Sequence, residues 1–343
     1  MKVVRPIEYH DLSALEALAN NARGSMTTLP ANRDHLAELI YKTRDSLSTE
    51  VESAGEESYH FVLEDLNKGE ILGISGIIAA VGLSTPFYNF RVDEEVHASE
   101  TLQTINRMTA LKLCQDYTGY TSLCTLFISQ KDDSWSNLQL LSRARLLFIA
   151  EHRDRFADRI LAEIQGIVDE NNRSAFWDSL GTHFFPMEMS RANYLTGLQE
   201  KNFIADLMPR YPIYTRLLPK QARAVIGEPR PDREPVFNIL EREGFSYQGY
   251  VDIFDAGPTL ETGTDHLTTL RSSQIYTPEA AIASAGDKKA IAVNSYYLVV
   301  NTSARSFRCI STAFNPEAPA LTQKEMDLLQ LDGGHSVRVA ASY

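Results

Sequence analysis

Apolar positions along the chain follow two periods, and each predicts a kind of element. KVVRPI reads as a short strand stopped by Pro6. Asp11 then stands as a helix N-cap, and Leu12, Leu15 and Leu18 keep a helical spacing behind it. A second helix is expected over Asn32 to Leu47, followed by an exposed polar connection, STEVESAGEES. Tyr59 to Gly82 is two apolar runs around Asn67-Lys68-Gly69, the pattern of a β-hairpin. TPFYNFRVDEEVHAS is aromatic and reads as loop and strand. Leu123 to Ile128 is an unbroken apolar run of the length of a buried central strand. Leu138 to Glu151 predicts a helix: Leu140, Leu141, Ala144, Leu147, Phe148 and Ala150 form its apolar face, with Arg143 and Arg145 off that face.

Later signals are shorter. ILAEIQGIVDE fits a helix or a strand, and a helix is expected near Ser174 to Ser179. Tyr194 to Pro219 reads as a packed irregular connection with short helices. Pro235 to Phe245 is a helix ending at Gly244, and YVDIF follows as a strand. From about Ser272 the texture changes to short β-like runs (AIAVNSYYLVVN, SFRCIST, HSVRVAAS) around one helix, TQKEMDLLQ. The expected organisation is therefore residues 1–270 as a main domain and 271–343 as a small β-rich unit. FWDSLG before HFF and the helix before Gly244-Phe245 share a helix–glycine–aromatic order, which an internal duplication with its second half from about residue 195 would produce.

Composition narrows the function classes. The 343 residues are 43% hydrophobic and carry a net charge of −12, enough for a sizeable core and without a basic stripe. Nucleic-acid binding, which needs clustered cations against phosphates, is set aside. Cys114, Cys124 and Cys309 have no metal or redox spacing and read as free thiols in a reducing compartment. MKVVRPIEYHDL lacks the apolar core of a signal peptide, and no run approaches a membrane span. A cytoplasmic protein without nucleic-acid or membrane partners is expected. There is no Gly-x-Ser-x-Gly elbow, His-Glu-x-x-His or Walker loop.

One junction poses a specific question. SQKDDSWSNLQLL joins the Leu123–Ile128 strand to the next helix, the kind of place where helix N–H groups hold phosphate. It has no glycine for close backbone approach, and Asp132 and Asp133 stand where an anion would want a cation.

The residues resemble a family. VVRPIEYHDLSALEALA, VLEDLNKGEILGISGI and LCTLFI are similar to the first strands and helix of the GNAT superfamily of N-acyltransferases. SLCTLFI, ESYHFVLED, EVHAS, FWDSLGTHFF, LMPRYPIYTRLLP and GYVDIFDAGPTLE, taken together, resemble the arginine/ornithine N-succinyltransferases. The resemblance implies an α+β fold, a GNAT-like mixed sheet flanked by helices, and succinyl transfer from succinyl-CoA to the α-amine of L-arginine or ornithine in arginine catabolism. It implies no cofactor beyond that acyl-donor substrate. KDDSWSNLQ, without the Arg and Gly of single-chain members, and LLSRARLLFIAEHRDRFAD resemble the alpha-subunit type, which implies an oligomer with a homologous beta subunit.

The resemblance places succinyl-CoA at Leu126; Ser134, Ser136, Asn137 and the backbone N–H groups around them are candidates to hold its anion at the helix start. The family's proton-donor His stands in Gly-x-x-His-Pro. Here that stretch is Gly227-Glu228-Pro229-Arg230-Pro231, so Arg230, a permanent cation, occupies the position. His97 and His183 are the candidate replacement acid–base groups. A guanidinium asks for a carboxylate, and Asp252, Asp255 and Glu261 are candidates; Arg91 is a candidate for a substrate carboxylate. The plain alternatives are turn capping or solvated charge for the acids, surface or structural histidines, and a solvated Arg91. Two functions follow: an active succinyltransferase, or a catalytically weakened assembly or regulatory subunit partnering an active beta chain.

Overall fold

The computed structural model describes residues 1–22, 26–198, 202–280, 296–331 and 334–343. The first part of AIAVNSYYLVVN lies outside them. The strands are β1 (Lys2–Pro6), β2 (Ser58–Asp65), β3 (Glu70–Ile78), β4 (Asn89–Ser99), β5 (Thr104–Cys114), β6 (Thr121–Ile128), β7 (Arg159–Glu163) and β8 (Ile213–Tyr214). They continue as β9 (Ser246–Val251), β10 (Pro258–Gly263), β11 (Gln274–Tyr276), β12 (Glu279–Ala280), β13 (Tyr296–Asn301), β14 (Cys309–Ala313), β15 (Ala320–Leu321) and β16 (Val337–Ala341). All but β12 and β15 join one 14-stranded sheet in the order β11-β16-β13-β14-β1-β2-β3-β6-β7-β10-β9-β4-β5-β8. Among the described residues β6 and β7 are the one parallel pair of that sheet. The expected α+β class, a mixed sheet flanked by helices, is what the chain adopts. The C-terminal strands extend the main sheet through β14 on β1 (Val4 opposite Cys309).

Side-chain alternation assigns the helices to faces. Phe61 and Leu63 of β2 point to α3 (Trp135–Glu151), while Val62 between them packs with α1 (Leu12–Asn21) and α2 (Arg33–Ser48). The helix α3 differs from its amphipathic reading: every residue from Asn137 to Ile149 is buried, with Glu243, Thr269 and Ala341 closing on Arg143 and the Gly76 and Cys124 carbonyls of β3 and β6 on Arg145. Arg143 and Arg145 are therefore interior residues, 1% and 2% exposed. ILAE resolves as β7, and TINRMTALKLC, unread in the sequence, forms β5, which hydrogen-bonds along all of β4 in a long hairpin.

Candidate active site

The sheet opens at its middle. β6 and β7 pair only at Thr121, Ser122 and Leu123, opposite Ile160, Leu161 and Ala162, and then part. On its other side β6 carries a bulge: Ile74 faces Phe127 and Gly76 faces Cys124, so Thr125 and Leu126 together oppose Ser75. Thr125 pays for the bulge with φ 55°, a conformation costing about 1–3 kcal/mol for a β-branched residue. Leu126 has no register partner on either neighbour.

A cavity of about 640 Å³ fills the opening. Its wall runs from Cys124, Thr125 and Leu126 across to Glu163 and Gln165, with α2 supplying His35, Glu38 and Lys42. Four of its groups have distinctive electrostatics. Arg145 donates to Cys124 O (3.2 Å), Gly76 O (3.4 Å), Ser142 O (3.1 Å) and Ser142 Oγ (3.1 Å), and among the described residues it pairs with no carboxylate. Burial pulls its pKa down to about 10, so it remains a cation. His60 sits on β2 in contact distance of Ser58 Oγ (3.2 Å), Thr43 Oγ1 (3.4 Å) and Thr125 Oγ1 (3.4 Å). Burial holds it neutral, with a pKa pushed down to about 3. Glu163 ends β7 exposed to the cavity and accepts from Asn89 Nδ2 at 2.8 Å. Asp252 is raised well above the ordinary carboxylate range by burial, then by the charges of Asp255 and Glu163.

The turn Asp252–Gly257 is clamped onto the end of β7. Asp252 Oδ1 accepts Phe254 N (2.7 Å) and Asp255 N (3.0 Å); Asp255 accepts Gly166 N and Gly257 N, both at 2.8 Å. A Cβ on Gly257 would stand 2.1 Å from Ile164 O, so only glycine allows this approach. Burial raises Asp255 as well, against those two N–H bonds.

Of the residues singled out in the sequence, the cavity collects Leu126, Asp252 and Asp255. Arg230 stands behind the wall: its N–H bonds Gln165 O (2.8 Å), and its guanidinium holds Asp232 (2.5 Å) and Gln165 Oε1 (3.3 Å). Ser134 caps α3 by accepting Asn137 N, and Asn137 is bonded to Lys2 Nζ (2.7 Å) and Asp132 O (2.6 Å). Neither they nor Ser136 lines the cavity. Glu261 is ion-paired with Arg159, and Arg91 with Asp93 (3.0 Å) and Asp116 (3.2 Å). His97 is 52% exposed beside Glu95 and Tyr214 on the β4–β5 hairpin, and His183 is exposed on a short helix. Arg145, His60, Glu163 and Arg233 also line the cavity and are absent from the candidates the sequence offers. Two carried a signal: His60 and Glu163 are ionisable residues inside apolar strand runs. Among the described residues no cluster of His, Cys, Asp and Glu has metal-holding geometry, and no helix is long and apolar enough to cross a membrane.

Residues 2–269 match the family described as the arginine N-succinyltransferase beta subunit. Proteins named arginine N-succinyltransferase from Salmonella schwarzengrund and Salmonella agona are each 42% identical over 341 residues, covering 99% of this chain and 97% of theirs. The solved structure of arginine/ornithine succinyltransferase subunit AI from Pseudomonas aeruginosa superposes with a TM-score of 0.89 at 37% identity, over 99% of this chain and 98% of that one.

Proposed function

The chain belongs to the arginine N-succinyltransferase family of acyltransferases, and from that premise we propose that it moves the succinyl group of succinyl-CoA onto the α-amine of L-arginine or ornithine in the cavity between β6 and β7. The observation that carries the reading is a cation set across that opening from a group of carboxyl groups. Arg145, a buried cation that pairs with no carboxylate among the described residues, lies behind the bulge, and three carboxyl groups, Glu163, Asp252 and Asp255, lie on the opposite wall.

The thioester carbonyl meets the bulge, where the Leu126 N–H, free of a register partner, is the oxyanion donor. Arg145 adds a fixed positive charge through the Cys124–Thr125 peptide it polarises, in surroundings where charge is weakly screened. The attacking amine must be neutral, and Glu163, exposed to the cavity and steadied by Asn89, accepts its proton. The guanidinium or side-chain ammonium of the acceptor sits against Asp252 and Asp255. Tyr88 lines the same cavity; burial raises its pKa, so it keeps a proton to give to the departing thiolate. Arg230 serves here by holding Gln165 and Asp232.

In this reading the product feeds arginine breakdown in the cytoplasm. The pinning of Arg230 favours a second reading, an assembly or regulatory chain beside an active homologous subunit. Thiol release from succinyl-CoA by the purified chain, with L-arginine, with ornithine and with neither, separates the two. Acceptor-dependent release with N-succinylated product in the mass spectrum supports the enzyme. A folded chain that releases nothing until a homologous subunit is added supports the second reading.

A further inference from the structure

KDDSWSNLQ puts no arginine between β6 and α3, but the fold delivers one to the same place from far along the chain. Arg233 directly precedes the helix Glu234–Arg242, which packs on α3, and it lies within electrostatic reach of Asp133. It lines the cavity together with Val236 and Leu240 of that helix and with Leu126. Its partners are incomplete. The Nε is buried and donates to nothing among the described residues. Its Nη2 stands 3.5 Å from Asp232, a carboxylate already gripped by Arg230 Nε (2.5 Å) and Nη2 (3.0 Å). The side chain remains 21% exposed. A guanidinium keeps its charge in such surroundings and offers a fork suited to phosphate oxygens.

We propose that Arg233 is the phosphate anchor of the acyl donor: it binds the nucleotide end of succinyl-CoA while Val236 and Leu240 wall the donor's apolar arm. The assignment rests on the succinyltransferase reading of the cavity. A carboxylate of the succinyl group or of the amino acid has the same affinity for a guanidinium, so the test must separate phosphate from carboxylate.

The test uses the full chain, the variants Arg233→Met and Arg233→Lys, and three probes: coenzyme A, adenosine 3′,5′-bisphosphate, and a phosphate-free succinyl thioester of N-acetylcysteamine. Calorimetry should show the Kd for coenzyme A and for the bisphosphate rising about 10- to 100-fold in Arg233→Met and less in Arg233→Lys. The KM for succinyl-CoA should rise in parallel, with kcat changed by less than about threefold, and the KM for the phosphate-free thioester should stay as in the wild type. Undiminished coenzyme A binding by Arg233→Met overturns the proposal, as does equal loss with both thioesters or a wild-type chain that binds no coenzyme A. A wild-type chain that binds coenzyme A through Arg233 yet never turns over arginine leaves the anchor standing and defeats the proposed function instead.

Discussion

Arg143 and Arg145 stand two residues apart on one buried helix, and their surroundings are opposite. Arg143 is closed in by protein: Glu243 Oε1 at 3.1 Å, Thr269 Oγ1 at 3.0 Å, Ala341 O at 2.7 Å, and the Tyr343 ring 3.9 Å from its centre. Glu243 in turn accepts Thr269 N and the Tyr343 hydroxyl. The group knots three distant parts of the chain, and its charge is matched within the protein by Glu243. Arg145 has carbonyls and a hydroxyl but no described carboxylate, and it borders the cavity. Leaving a buried cation without an anion is unfavourable for folding, so a site that does so is arranged for charge that arrives with a ligand.

The contrast breaks most sharply in activity. Arg145→Met should lower kcat for arginine-dependent thiol release about 10²- to 10³-fold, in line with loss of one oxyanion-stabilising group. Its unfolding free energy should stay within about 2 kcal/mol of the wild type, since the freed carbonyls cost little more than the stranded charge did. Denaturant unfolding alongside the assay checks both. Glu243→Gln should do the reverse. It leaves Arg143 buried without its anion and should cost about 3–5 kcal/mol of stability, with the kcat of the folded fraction near that of the wild type.

Asp252→Asn sharpens the electrostatics of the opposite wall. Asn keeps an oxygen for the Phe254 and Asp255 N–H groups but removes the carboxyl whose pKa burial and its acidic neighbours raise. A native pKa above the unfolded one means that folding takes up a proton from about pH 4 upward, so this group lowers stability as pH rises through that window. The variant should therefore match the wild type near pH 4 and become more stable toward pH 7. Arginine binding should drive Asp252 to ionise, releasing a proton that appears as buffer-dependent enthalpy in calorimetry; Asp252→Asn should lose that dependence and bind arginine about tenfold more weakly. The smallest effect belongs to His97→Ala and His183→Ala, surface changes expected within about 0.5 kcal/mol in stability and without effect on turnover.

Local pattern made much of the sheet legible. The hairpin around Asn67-Lys68-Gly69 forms as read, with Gly69 at φ 66°, and Asn32 caps α2 by accepting His35 N at 2.9 Å. The site was less legible because its parts meet only through long-range pairing. Leu126 enters through a motif that resembles a family, and Asp252 and Asp255 as carboxylates that a guanidinium asks for; the fold brings all three to the cavity. Periodicity puts Arg145 on the polar side of a helix, since it cannot foresee that the backbone carbonyls of β3 and β6 would receive it in the interior. Arg233 and Asp133 are brought together by packing of two helices far apart in sequence, which no local pattern encodes.

The location of the chemistry is tested most directly by hydrogen-exchange mass spectrometry of the whole chain, alone and with coenzyme A plus L-arginine. Slowed exchange is expected in peptides covering 121–128, 160–166 and 250–257, and none in the 94–109 tip of the β4–β5 hairpin that carries His97. Protection of that tip or of the segment around His183, with the β6–β7 opening unchanged, would contradict that location.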